Sequence, residues 1–298
     1  MEITSDNFVS RYLKRVSETD SILCVGVDPT PDHVPPSLRT ADILQGLRRY
    51  LWSVVDIAAT RVPVIKPQIA YYAALGSDGL ELLQELIVYA KSLGLLVILD
   101  AKRTDIGSTM EQYGEEVFGK YGADACTSMP YLGPTFNPSW MKWLGQGCMV
   151  IPMIRTSNPE AATIQDLELK DGKLLYEHVA QLVAGWNVVI AEITNGVGSV
   201  GGVVGATWPE QAVRCRKFAD GVFFLVPGYG EQDGGAKGAV GGLLNSTGEP
   251  MGTVNSARGI TLSWLDKELG QPREGQPYDH VERAIKAANI DLNAALER

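Results

Sequence analysis

The segment Asp100-Ala101-Lys102-Arg103-Thr104-Asp105 sets two acids and a lysine at D-x-K-x-x-D spacing. On an extended chain, residues two apart project to the same face, so Asp100 and Lys102 point the same way. A further lysine, Lys66, sits inside the apolar run VPVIKPQ (62–68). Lys66, Asp100, Lys102 and Asp105 then form a set of alternating charge. A salt-bridge network that merely filled a core would carry large desolvation costs, and apolar side chains often fill such space as well or better. The cluster therefore reads as a site. Its carboxylates keep Lys102 protonated, the wrong state for the nucleophilic amine of a Schiff-base aldolase. What remains open to it is charge chemistry.

Other polar residues close apolar runs in the same way. Asp28 ends the first run, Arg155-Thr156-Ser157-Asn158-Pro159 follows the fifth, and Pro227-Gly228-Tyr229-Gly230-Glu231-Gln232 follows the seventh. Arg258-Gly259 closes the eighth. A glycine-rich turn with exposed amides, Gln232 and the planar fork of Arg258 suit a phosphate.

The elements that must carry these residues are eight short β-rich runs at 22–28, 62–68, 95–102, 124–131, 148–155, 201–207, 221–228 and 252–260. Most are apolar throughout rather than alternating, as parallel strands buried on both faces are. Helical spacing of apolar residues fills 42–59 and 78–93, and helices are expected at 107–121, 173–186 and 208–218. The spacing also predicts a leading helix at about 5–17 and a C-terminal helix at about 278–296. Strand followed by helix eight times over is the count of a (β/α)8 TIM barrel of the α/β class, favoured here over a doubly wound open sheet. No linker interrupts the chain, so residues 1–298 are expected to form a single domain. Residues 165–172 are a polar insertion after strand five, and 229–251 a Gly-rich loop after strand seven.

Composition narrows the function. A formal net charge of −9 argues against a nucleic-acid or anionic-membrane binder, though not against one small anionic ligand. Three histidines, His33, His178 and His280, lie too far apart in sequence for a histidine-built zinc site, and no metal is expected. Cys24, Cys126 and Cys148 sit in apolar runs and, with Cys215, form no CxxC; they read as reduced thiols. No apolar run approaches a membrane span, and MEITSDNFVSRYLKR has no signal-peptide pattern, so a cytoplasmic protein is expected. Gly196 to Gly201 matches G-x-G-x-x-G, but GVVGAT follows where a dinucleotide fold needs a helix to open.

Six segments, LCVGVD, VIKPQIAYY, LDAKRTDIGST, IRTSNPEA, PGYGEQ and NSARGI, lie in order across residues 22–260. With them the chain resembles the orotidine 5′-monophosphate decarboxylases, in their longer, second-type bacterial branch. The resemblance implies conversion of orotidine 5′-monophosphate to UMP and CO2 in de novo pyrimidine synthesis, without metal or organic cofactor. It implies a homodimer with shared active sites. Lys102 would deliver the proton to C6, Asp100 would lie beside the substrate carboxylate, and Lys66 would pair with Asp100 and the ribose. Asp105, with Ile106 and Thr109, would reach the partner's site. Asp28 would bind a ribose hydroxyl, Ser157 the pyrimidine edge, and Gln232 and Arg258 the phosphate. The chain departs from the family pattern where Asp233 separates Gln232 from Gly234-Gly235. Two further readings are a magnesium-dependent phosphosugar decarboxylase of the same superfamily and an inactive nucleotide-binding barrel. The first generally carries an acid where Lys66 stands, and a cation there opposes a divalent ion.

Overall fold

Apolar runs buried on both faces must find backbone partners in one another, and here they close a parallel barrel. The computed structural model describes residues 6–230, 235–266 and 268–296. The strands are β1 (Leu23–Val27), β2 (Val64–Pro67), β3 (Leu96–Leu99), β4 (Ala125–Ser128) and β5 (Met149–Arg155). A split β6 (Ser199–Val200 and Gly202–Val204), β7 (Phe224–Pro227) and β8 (Gly252–Ser256) complete them. Their order is β4-β3-β2-β1-β8-β7-β6-β5, and β4 closes on β5. The register sets Gly26 beside Lys66 and Ala125 beside Met149. The main helices are α1 (Phe8–Thr19), α2 (Ile43–Ala59), α3 (Ser77–Ser92), α4 (Gly107–Gly114), α5 (Leu175–Ile193), α6 (Pro209–Phe218) and α7 (Pro277–Leu296).

Two cores follow from the alternation of side chains along buried strands. Inward-facing Cys24, Val64, Ile98, Met149, Ile151 and Phe223 fill the barrel, while the larger core lies between strands and helices. The barrel floor is completed by α1. Phe8 and Tyr12 are 0% and 1% exposed and meet the Phe223 ring edge-on at 5.4 and 4.9 Å. The Tyr12 hydroxyl donates to the Gly252 carbonyl at 2.8 Å.

Several boundaries differ from the sequence reading, for local reasons. The leading helix begins at Phe8 because Asn7 caps it, its side chain accepting from the Ser10 amide at 2.8 Å. The helix expected at 107–121 is α-helical to Gly114 and continues as a π-helix over Glu115–Lys120. The helix expected at 173–186 runs on to Ile193, because burial of Ile190 outweighs the β preference of its Val-Val-Ile run. The G-x-G-x-x-G segment thus follows a helix, not the strand a dinucleotide site needs. Strand eight ends at Ser256, and Arg258 opens the helical turn Arg258–Thr261 instead of extending the strand. Between Met153 and Arg155 the pairing of β5 with β6 shifts register, Met153 facing Val203 and Arg155 facing Val204. Met153 points into the barrel; the extra residue turns Arg155 outward toward α5 and α6.

Candidate active site

Each polar residue of the site lies at or just past the C-terminal end of a strand, where a barrel leaves side chains unburied by the next layer. A cavity of about 280 Å³ opens there, lined by Asp28, Lys66, Asp100, Ser157, Asn255 and Arg258 together with Tyr71 and the Pro227–Tyr229 turn. The strands thus bring together five of the nine residues expected at the site, and a sixth, Lys102, joins them through Asp100.

Asp100 is the hub. Its Oδ2 lies 3.1 Å from Lys66 Nζ and its Oδ1 2.7 Å from Lys102 Nζ. The Thr127 hydroxyl donates to Oδ1 at 2.8 Å. Burial alone would push this carboxyl up, but the Lys66 and Lys102 ammoniums and the two hydrogen bonds hold it well below the usual carboxylate range. Lys66 is 4% exposed. Burial works against its charge, yet the Asp100 and Asp28 carboxylates outweigh that and hold its ammonium above the usual lysine range. Both partners of this buried pair are therefore charged at neutral pH, and the Lys102 ammonium stands over them with its side chain 43% exposed.

Lys102 is held in an uncommon backbone conformation, φ +49°, a region that costs a non-glycine residue about 1–2 kcal/mol. The Thr127 hydroxyl supports it by accepting from the Lys102 amide at 3.0 Å. One hydroxyl on β4 thus fixes both the lysine backbone and the carboxylate. Thr127 was not singled out in the sequence, since the facing of β3 and β4 is a matter of register.

Asn255 was also missed. It lines the cavity from β8, is 8% exposed, and its side-chain Oδ1 is buried with no hydrogen-bond partner among the described residues. Asp28 Oδ1 is likewise buried and without a partner among the described residues. Two unsatisfied polar groups in one cavity mark places where a ligand supplies the missing hydrogen bonds. Room for the Asn255 side chain comes from Gly26: a Cβ there would stand 2.5 Å from Ala257 Cβ and 3.2 Å from Asn255 Oδ1. The signal was legible in principle, as an amide inside the strand run GTVNS.

Asp105 and Thr109 are not part of this cavity. Asp105 Oδ1 accepts from the Ile106 amide at 2.7 Å, just before α4. Ile106 is 65% exposed, and Thr109 is exposed beside it. Gln232 and Asp233 lie outside the described residues. The chain enters that segment through Gly228 and Gly230, at φ +104° and +91°, values that suit glycine. Among the described residues, no three His, Cys, Asp or Glu side chains are grouped so as to hold a metal ion.

The chain matches the family model described as orotidine 5′-phosphate decarboxylase / HUMPS family over residues 21–268. It is 39% identical over 299 residues to the orotidine 5′-phosphate decarboxylase of Methylibium petroleiphilum, covering 97% of this chain and 99% of that protein. The Rhodopirellula baltica protein of the same name is 33% identical over 305 residues, again with 97% and 99% covered. Among solved structures, Leishmania donovani OMP decarboxylase superposes with a TM-score of 0.77 at 27% identity, covering 98% of this chain and 99% of that one.

Proposed function

The chain belongs to the orotidine 5′-phosphate decarboxylase / HUMPS family, and on that premise we propose how its residues turn orotidine 5′-monophosphate into UMP and CO2 in pyrimidine biosynthesis. The observation that carries the reading is the unbroken Lys66–Asp100–Lys102 charge chain opening into the cavity shared by Asp28, Ser157 and Arg258.

Arg258, with Gln232, takes the phosphate; Asp28 and Asn255 supply the hydrogen bonds their buried atoms lack to the ribose; Ser157 reads the pyrimidine edge. The substrate carboxylate lies against Asp100. The two like charges oppose each other, and the opposition ends when the C6–carboxylate bond breaks and CO2 leaves. The bonding pair stays on C6, where the fixed Lys102 ammonium stabilises it and donates one proton to form the C–H bond. Lys102 is left neutral and regains its proton from water. Lys66 keeps Asp100 ionised throughout. Phosphate contacts far from C6 orient the base and can drive closure of the loop that begins at Gly228. No metal or organic cofactor takes part.

The working form in this reading is a cytoplasmic homodimer. Four unpaired cysteines fit a reducing compartment. Exposed Ile106, Met129, Tyr131 and Leu132 cluster on the loops after β3 and β4, beside Asp105 and Thr109, and suit a partner's surface. A magnesium-dependent phosphosugar decarboxylase is disfavoured by the Lys66 cation between Asp28 and Asp100.

The test is the ultraviolet absorbance change on converting orotidine 5′-monophosphate to UMP with chelator present. Turnover is expected to persist in chelator and to vanish in Lys102→Ala, which should still bind UMP. A near-normal rate in Lys102→Ala would remove the lysine from its role, and turnover lost to chelator would remove the metal-free route.

A further inference from the structure

Behind the loop that carries Ser157 lies a buried charge that the route above does not use. Arg155 ends β5 and is 0% exposed. The register shift in β5 turns it out of the barrel, and its guanidinium lies 4.5 Å from the Trp208 ring centroid. Nε donates to Gln211 Oε1, and Nη1 donates to the Thr156 carbonyl at 3.3 Å and to Gln165 Oε1 at 3.0 Å. Its ion-pair partner among the described residues is Asp166, 3.5 Å from Nη2, too far for a hydrogen bond. A guanidinium so placed is costly to bury, and an apolar side chain would pack β5 against the helices at least as well.

What the arginine adds is a grip on the next residue. Gln165 Oε1, which accepts from Arg155, also accepts from the Thr156 amide at 2.9 Å, and Gln165 Nε2 donates to Thr156 Oγ1 at 2.9 Å. Thr156 is thus held at its amide, carbonyl and hydroxyl by Arg155 and Gln165. Ser157 is fixed from the other side, its carbonyl accepting from Thr207 Oγ1 at 2.9 Å. Its backbone packs on Gly205, where a Cβ would stand 2.8 Å from Ser157 Cα. Ser157 lines the cavity, and its hydroxyl makes no hydrogen bond among the described residues. Gln165, which links Arg155 to Thr156, ends the helical turn Ala162–Gln165 and is the first residue of the polar stretch 165–172.

We propose that Arg155, acting through Gln165 and Thr156, is a positioning residue that holds the loop 156–158 in register for recognition of the pyrimidine base. The proposal rests on the reading that Ser157 contacts the base. The test compares UMP with ribose 5-phosphate, which carries sugar and phosphate but no base, alongside kcat and KM for the decarboxylation. Gln165→Ala and Arg155→Met should weaken UMP binding and raise KM by roughly tenfold, the worth of about one hydrogen bond. Affinity for ribose 5-phosphate should stay within about twofold, because loss of a base contact leaves the other contacts intact. Arg155→Lys keeps the charge but cannot span three acceptors, and should behave like Arg155→Met.

Unchanged UMP affinity in Gln165→Ala and Arg155→Met, or equal weakening of both ligands, overturns the proposal. If Arg155→Met does not fold, Gln165→Ala, at a part-exposed position, decides the matter alone. Ser157→Ala separates the two ideas. Base selectivity lost in Gln165→Ala but kept in Ser157→Ala sinks the Ser157 reading alone; the reverse pattern sinks the role of Arg155 alone.

Discussion

Thr127 Oγ1 accepts from the Lys102 amide and donates to Asp100 Oδ1, at 3.0 and 2.8 Å. Replacing the hydroxyl by a methyl of the same shape frees the lysine backbone and takes one hydrogen bond from the carboxylate. Such a bond to a charged group is worth about 1.5–3 kcal/mol, so Thr127→Val should lower kcat by roughly 10- to 100-fold. UMP affinity should hold and Thr127→Ser should restore the rate; steady-state kinetics with UMP inhibition decides, and a full rate in Thr127→Val refutes the role. Asp100 allows a pH test. Asp100→Asn strands the buried Lys66 ammonium and should cost about 3–5 kcal/mol at pH 7. The folded carboxyl titrates below its unfolded value of about 3.9, so its stabilisation is complete above that pH and fades as the pH falls further. Urea denaturation should therefore show the gap between wild type and Asp100→Asn narrowing below about pH 4. A gap of constant size from neutral pH down to about 3 contradicts the assignment.

Among the elements, α1 is structural and remote from the chemistry. Phe8→Ala removes a ring that is 0% exposed and should cost about 3–5 kcal/mol in urea denaturation, with kcat unchanged where the protein remains folded. A fallen kcat at full stability would show that the floor reaches the site. The strands were legible because a parallel strand buried on both faces is written as an unbroken apolar run, and the polar residues at the ends of those runs supply much of the cavity's lining. Thr127 was not legible because its partners, the Lys102 amide and the Asp100 carboxylate, are set by register between strands distant in sequence, whereas Asn255 shows as an amide inside an apolar run. The length of α5 escaped because its Val-Val-Ile run favours strand until Ile190 finds a core to enter. Arg155 read as one more strand-end charge. Only the bulge, which no local pattern announces, sends it to the far side of the sheet from Lys102.

At the scale of the whole molecule, the cavity of one chain lacks Asp105 and Thr109, although they follow Lys102 closely in sequence. If they complete a partner's site, two crippled chains can repair each other. Mixing Lys102→Ala with Asp105→Ala protein should recover activity that neither has alone, since one site of each hybrid dimer regains both residues. No recovery after verified subunit exchange would confine Asp105 to its own chain. The plug of Phe8, Tyr12 and Phe223 bears on traffic as well as stability. Among the described residues these rings close the barrel beneath Asp100, so carbon dioxide formed in the cavity is directed to the mouth. Substrate enters by that same mouth, so arrival and departure share one side of the barrel.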